Sequence, residues 1–255
     1  MPTIETTRGV IWATDHLAFD PALPTLILVH GAWGTHHDWG RALLGLEWVN
    51  VLAFDLPGHG ESGGSAKDSL ADYAADVIAL MDALKIERAY FAGHSMGGGI
   101  ALMLALDHAE RAQGIALVCT GAKLSVHPDI LRNIVTERDR IIDLLLSWMW
   151  NSDSDPALTA EHRAAMLAED VVAAASDFQA CDAFDVRGRL SAITVPTLII
   201  GAGDDRMTPF KYSAYLHANI AHSTLIRVEG APHMVIRSEP DLIAVLVGDW
   251  MDRRE

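Results

Sequence analysis

Ala89-Tyr90-Phe91-Ala92-Gly93-His94-Ser95-Met96-Gly97-Gly98 decides the fold. A short apolar run of strand length, Ala89 to Ala92, ends in Gly-x-Ser-x-Gly. The stretch after it, Gly98 to His108, carries Ile100, Leu102, Met103, Leu104 and Leu106 at helical spacing. A strand that turns this tightly into a helix crowds the positions two residues either side of the turn. Glycines at 93 and 97 remove that crowding and leave Ser95 exposed on a strained turn. The helix behind it offers unpaired N–H groups and a favourable dipole to an anion developing at the serine. A flexible glycine turn with an idle serine has the same letters, so the setting gives the motif its meaning.

Outward from this turn, further apolar runs end in Gly, Asp or Ser clusters: Thr25 to His30, Val49 to Phe54, Ile115 to Cys119, Thr197 to Ile200 and Thr224 to Val228. They are apolar throughout rather than alternating, which suits strands buried on both faces of a parallel sheet. Helical spacing recurs between them, for example over Ala71 to Leu84. Strand and helix in alternation predict a mostly parallel central sheet flanked by helices. The alternation stops between Lys123 and Arg189. Here Pro128 to Val135, Glu137 to Trp150, Thr159 to Leu167 and Val171 to Cys181 read as successive helices, and the loop Asn151 to Pro156 should cap the third. The expected organisation is an α/β core of residues 1–122 and 190–255, with a helical cap, residues 123–189, inserted before the last two strands at the carboxyl edge, where ligands bind.

The chain has 255 residues, half of them hydrophobic, with 34 acidic against 19 basic residues and a formal net charge of −15. That length supports one well-buried core. The charge repels phosphate backbones and anionic lipid, so neither nucleic acid nor a membrane is an expected partner. Cys119 and Cys181 lie in apolar surroundings outside any metal-spaced cluster. They read as free thiols in a reducing compartment, although one disulfide between them is also compatible with the sequence. The start of the chain has no basic segment followed by an apolar one, and the apolar stretches are too short to span a bilayer. A cytoplasmic location is expected.

A serine hydroxyl needs a base within reach, and the base needs a group to fix its tautomer. Of twelve histidines, His233 follows the last apolar strand in Gly230-Ala231-Pro232-His233, at the carboxyl edge of the sheet. His30 should pack beneath the site, and His94 should point away on its tight turn. His36, His37, His108 and His222 should lie at the surface or at helix ends. The acid should follow the strand Thr197 to Ile200, where Asp204 and Asp205 compete.

His30-Gly31-Ala32-Trp33, Asp55-Leu56-Pro57-Gly58-His59-Gly60-Glu61-Ser62, Gly93 to Gly98, Gly203 to Pro209 and Gly230 to His233 occur in one order along the chain. In these five segments the chain resembles the α/β-hydrolase superfamily over nearly its whole length. The resemblance implies Ser95 as nucleophile and His233 as base. It favours Asp205, four residues before Pro209, as the acid and leaves Asp204 as a turn residue. It makes Asp55 a turn residue outside the triad. It implies an oxyanion hole from the backbone N–H groups of Ala32 and Met96. Two such donors stabilise a tetrahedral intermediate by on the order of 3 kcal/mol each.

The expected chemistry is acyl transfer to water through an acyl-enzyme, with activity falling as acid protonates the base. Gly-His-Ser-Met-Gly-Gly is similar to the turn of many carboxylesterases and monoacylglycerol lipases. That resemblance points to carboxylic esters of small or medium apolar acyl or alkyl groups. Lactones or enol-lactones, thioesters, a vinylogous C–C bond, and a non-catalytic binding role on the same fold are the alternatives. No haem, flavin, nucleotide or metal motif is present, so no cofactor is expected. Trp33, Trp148, Met149 and the Met96 side chain are candidates for the pocket wall. The cap's Leu144, Leu145, Leu146, Trp150, Met166 and Phe178 either face the site or seal the cap onto the core.

Overall fold

The computed structural model describes residues 3–14 and 19–252. The first and last residues of the expected core, 1–2 and 253–255, and residues 15–18 lie outside that range. Among the described residues, β1 (Thr3–Thr6) and β2 (Gly9–Trp12) form an antiparallel hairpin. A six-stranded sheet follows, built from β3 (Thr25–Val29), β4 (Asn50–Ala53), β5 (Ala89–His94), β6 (Ala112–Val118), β7 (Thr197–Ala202) and β8 (Ser223–Val228). Its order is β4-β3-β5-β6-β7-β8 and every pairing is parallel.

The helices are α1 (Arg41–Leu44), α2 (Leu70–Ala83), α3 (Met96–Asp107), α4 (Pro128–Asn133), α5 (Arg138–Met149), α6 (Pro156–Ala168), α7 (Val171–Ala183), α8 (Lys211–Asn219), α9 (Val235–Ser238) and α10 (Pro240–Asp252). In β3 to β7 the continuous apolarity has the expected cause, because successive residues enter two separate cores, whereas β8, at the sheet edge, has no buried residue. Ile27, Phe91, Leu117 and Ile199 pack on one face with α2, α3 and α8. Leu28, Tyr90, Val118 and Leu198 pack on the other with α1, α10 and much of α5.

Helices α4 to α7 separate β6 from β7. The two ends of this excursion are pinned together by a bridge between Lys123 and Asp185 and by the Val186 N–H donating to the Ala122 carbonyl at 2.8 Å. The loop before α6 caps it as expected, with the Asp155 side chain accepting from the Ala157 N–H. Pro156 holds the first helical position, so α6 begins three residues before the expected Thr159. Helix α3 likewise begins at Met96, directly after the serine, rather than at Gly98.

The β1–β2 hairpin has no counterpart in the sequence reading. Its strands are four residues long and bury little beyond the facing pair Ile4 and Ile11. It continues into an antiparallel bridge between Ala13 and Phe54 and a Thr14 N–H bond to the Ala53 carbonyl, which covers the β4 edge. No helix among the described residues is long and apolar enough to cross a membrane. Cys119 and Cys181 are both buried and free.

Candidate active site

Ser95 sits between β5 and α3 at φ 53° and ψ −116°, a conformation that costs a non-glycine residue on the order of 1–3 kcal/mol. The surroundings enforce it. A Cβ on Gly93 would come within 2.1 Å of the Gly97 carbonyl oxygen, and one on Gly97 within 2.2 Å of the Val29 carbonyl oxygen. The Ser95 N–H donates to the Val118 carbonyl at 2.9 Å, and Thr120 Oγ1 donates to the Ser95 carbonyl at 2.7 Å. Thr120 is thus a support of the turn that the sequence reading passed over.

Asp205 and His233 meet as expected. His233 Nδ1 donates to Asp205 Oδ2 at 2.8 Å, and both residues are buried. Asp205 also accepts from the Met207 and Thr208 N–H groups and from Thr208 Oγ1, each at 2.8 Å. Burial alone would raise the Asp205 pKa. The charge and hydrogen bond of His233, with the bonds from Thr208, outweigh it and hold the carboxyl down at about 2. Asp204 is exposed and has no part in this pair. With Nδ1 donating to the carboxylate, the Nε2 of a neutral His233 is left as an acceptor. Ser95 and His233 line one cavity. Among the described residues no hydrogen bond joins their side chains.

Gly31 lies against this turn, since a Cβ there would stand 3.4 Å from Ser95 Cβ. Ala32 lines the cavity. Among the described residues, neither the Ala32 nor the Met96 N–H has an acceptor. Trp33, the next residue, has φ 58° and donates its N–H to Asp177 Oδ2 at 2.9 Å. Asp177, on α7, is fully buried and also accepts from His59 Nε2 at 2.8 Å and Tyr73 Oη at 2.6 Å. Burial pushes His59 down, but the Asp177 charge and hydrogen bond carry its pKa above the usual imidazole value. This carboxylate ties the inserted helices to the loop that holds Ala32. No local pattern around residue 177 signals it, because its partners are far away in the chain.

Several expectations need correction. His94 does not point away. It is buried, lines the cavity and donates from Nε2 to the His233 carbonyl at 3.0 Å. Burial, reinforced by the neighbouring His233, pushes its pKa down to about 3, so it stays neutral. His36 begins a short helical turn, His36–Asp38, but is not at the surface. It is buried and donates from both its N–H and Nδ1 to Asp55 at 2.8 Å. His30 packs beneath the site as expected, accepting from the Leu56 N–H at 3.0 Å.

Of the candidate wall residues, Met149 lines the cavity, whereas Trp33, Trp148 and the Met96 side chain do not. Trp33 packs edge-on against Phe178, which does line it. Trp148 borders an adjoining groove that shares Ser125, Val126, Phe178 and Met207 with the cavity. Leu145, Leu146, Trp150 and Met166 seal the inserted helices to the core. Cys181 reaches the cavity, but burial raises both thiols well above the usual range, so neither offers a thiolate at neutral pH.

The sequence pattern of the alpha/beta hydrolase family matches residues 26–246. The chain belongs to that family. It is 30% identical to RutD of Klebsiella pneumoniae, whose name assigns it provisionally to carbamate hydrolysis, over 91% of this chain and 92% of that one. The enol-lactonase of Burkholderia xenovorans superposes with a TM-score of 0.90 at 26% identity, covering 98% of this chain and all of the other. A thermophilic esterase superposes with a TM-score of 0.86 at 27% identity, covering 99% and 97%. These family members are hydrolases, and the chain is an enzyme of that class.

Proposed function

We propose that this hydrolase cleaves carboxylic esters of small or medium apolar acyl and alkyl groups through an acyl-enzyme. Ser95 attacks the ester carbonyl while His233 Nε2 takes its proton. Asp205 holds the imidazole and stabilises the cation that forms. The Ala32 and Met96 N–H groups receive the oxyanion. His233 returns the proton to the departing alkoxide, then activates the water that releases the acid. The observation that carries this reading is the buried His233–Asp205 pair opening onto the cavity that Ser95 lines.

The inserted helices, residues 123–189, act as the cap. Met149 and Phe178 give its cavity wall an apolar surface. The two free cysteines support a reducing compartment such as the cytoplasm. The test is labelling by a fluorophosphonate together with turnover of p-nitrophenyl esters of graded acyl length. The Ser95→Ala protein is expected to lose the label and to lose turnover by at least about 10⁴-fold. Undiminished turnover by that variant would exclude the mechanism.

A cyclic ester is the second reading, favoured by the similarity to an enol-lactonase over the full chain. The steps are the same, but the leaving alkoxide stays tethered to the acyl group. Comparison of kcat/KM for matched lactones and open-chain esters separates the two. A carbamate panel tests the chemistry suggested by the RutD name.

A further inference from the structure

His162, on α6, is a cavity-lining group for which the hydrolytic mechanism has no use. Its residue is 4% exposed, and its ring borders the cavity shared by Ser95 and His233. The indole Nε1–H of Trp150 meets His162 Nδ1 at 3.1 Å. An indole N–H can only donate, so Nδ1 must be the acceptor and the ring proton of the neutral imidazole lies on Nε2. Among the described residues Nε2 has no partner, and it is not among the sealed-off polar atoms. It is therefore a donor of fixed tautomer, held by a buried tryptophan, not sealed off, on a residue that lines the cavity. Burial pushes the His162 pKa down to about 4, so the ring stays uncharged at neutral pH. Asp38 lines the same cavity, its carboxylate held by Arg237 Nη1 at 3.1 Å. With the Asp38 charge balanced by Arg237, the uncharged Nε2–H offers a hydrogen bond without net charge, which suits an uncharged acceptor.

We infer that His162 Nε2–H and the wall around it form a subsite for a neutral oxygen acceptor of the substrate, a keto, ether or hydroxyl oxygen distinct from the scissile carbonyl. The preferred ester is then an oxygenated one, with apolar atoms along Met149 and Phe178 and one polar atom at α6. A purely hydrocarbon chain would leave this donor without a partner. The inference rests on the proposed ester-hydrolase reading only in taking the cavity as the substrate site.

The test is calorimetric binding to the Ser95→Ala protein. The ligands are phenyl hexanoate, its 4-oxo and 5-oxo derivatives, and the pair pentyl and 2-ethoxyethyl hexanoate. At least one oxygenated ligand is expected to bind about fivefold more tightly than its hydrocarbon counterpart, the net value of one neutral hydrogen bond. Adding His162→Phe should bring that ratio to about one. Adding Trp150→Phe as well, which removes the indole N–H left unpaired, should keep it there. His162→Gln, which can accept from Trp150 and still donate to the cavity, should restore it. Equal binding within every pair, no measurable binding of any oxygenated ester, or a preference that survives His162→Phe would overturn the inference. Failure of the ester-hydrolase reading shows separately, as undiminished ester cleavage by Ser95→Ala.

Discussion

Asp205 accepts hydrogen bonds on both carboxylate oxygens, and His233 uses one of them. The backbone bonds to Oδ1 fix the plane of the carboxylate, and Thr208 Oγ1 shares Oδ2 with the imidazole. An amide at this position would present a donor or a weaker acceptor to His233 Nδ1 and favour the wrong tautomer. Asp205→Asn should therefore lower kcat by about 10⁴-fold, whereas Asp204→Asn, an exposed change, should leave it near wild type. Steady-state kinetics on one aryl ester distinguish the two, and equal losses would remove the assignment. The preceding strand narrowed the expected acid to neighbouring aspartates, because strand and turn are local constraints, and the resemblance, through Pro209 four residues on, favoured Asp205. In the structure it is Asp205 that turns inward, and Thr208 three residues later bonds it there.

Helix α7 shows what local pattern cannot carry. Its N-cap, Asp170, and its apolar residues are readable from neighbours in the chain. The role of Asp177 arises only when the inserted helices close over the loop holding Trp33, 144 residues away. The same logic explains the hairpin, whose few buried residues depend on the β4 edge, and the Trp150–His162 pair, which forms across two helices. By contrast β5, the serine turn and α3 are legible because crowding at the turn permits only glycine at the flanking positions. A buried carboxylate with three donors is sensitive to the loss of any one, and hydrogen bonds to charged groups are worth about 1.5–3 kcal/mol. Tyr73→Phe should thus lower the unfolding free energy by about 2 kcal/mol, and Asp177→Ala by about 3 kcal/mol or more, since it strands His59 and the Trp33 N–H. Urea denaturation measures both. A neutral Asp177→Ala would mean that the inserted helices are not anchored through this residue.

On the scale of the whole molecule, the buried histidines set how the fold meets acid. Burial lowers the pKa of His30, of His94 to about 3 and of His162 to about 4. For each, the unfolded chain takes up a proton below the ordinary imidazole value of about 6.5, while the folded protein does not until its own lower pKa is reached. Their stabilisation is complete above the unfolded value and declines as pH falls toward the folded one. His59 acts in the opposite sense. Its raised pKa adds stability below the unfolded value, and that contribution fades as pH rises through the folded one. Below about pH 6.5 His59 carries its proton in both the folded and the unfolded chain and adds no slope, so the three lowered groups alone tilt stability toward loss in acid. At about 1.4 kcal/mol per pKa unit, His94 alone accounts for on the order of 3 kcal/mol by about pH 4. Asp205 adds its share only below the ordinary carboxylate range, as pH falls toward about 2. The net charge of −15 works against this trend, because acid relieves surface repulsion. Salt at about 0.2 M screens that term and barely touches the buried groups. Urea unfolding in such salt at about pH 7, 5.5 and 4 should therefore show stability falling steadily below about pH 6.5. A stability that holds constant down to about pH 4 would mean that these imidazoles are charged, or reached by water, within the fold.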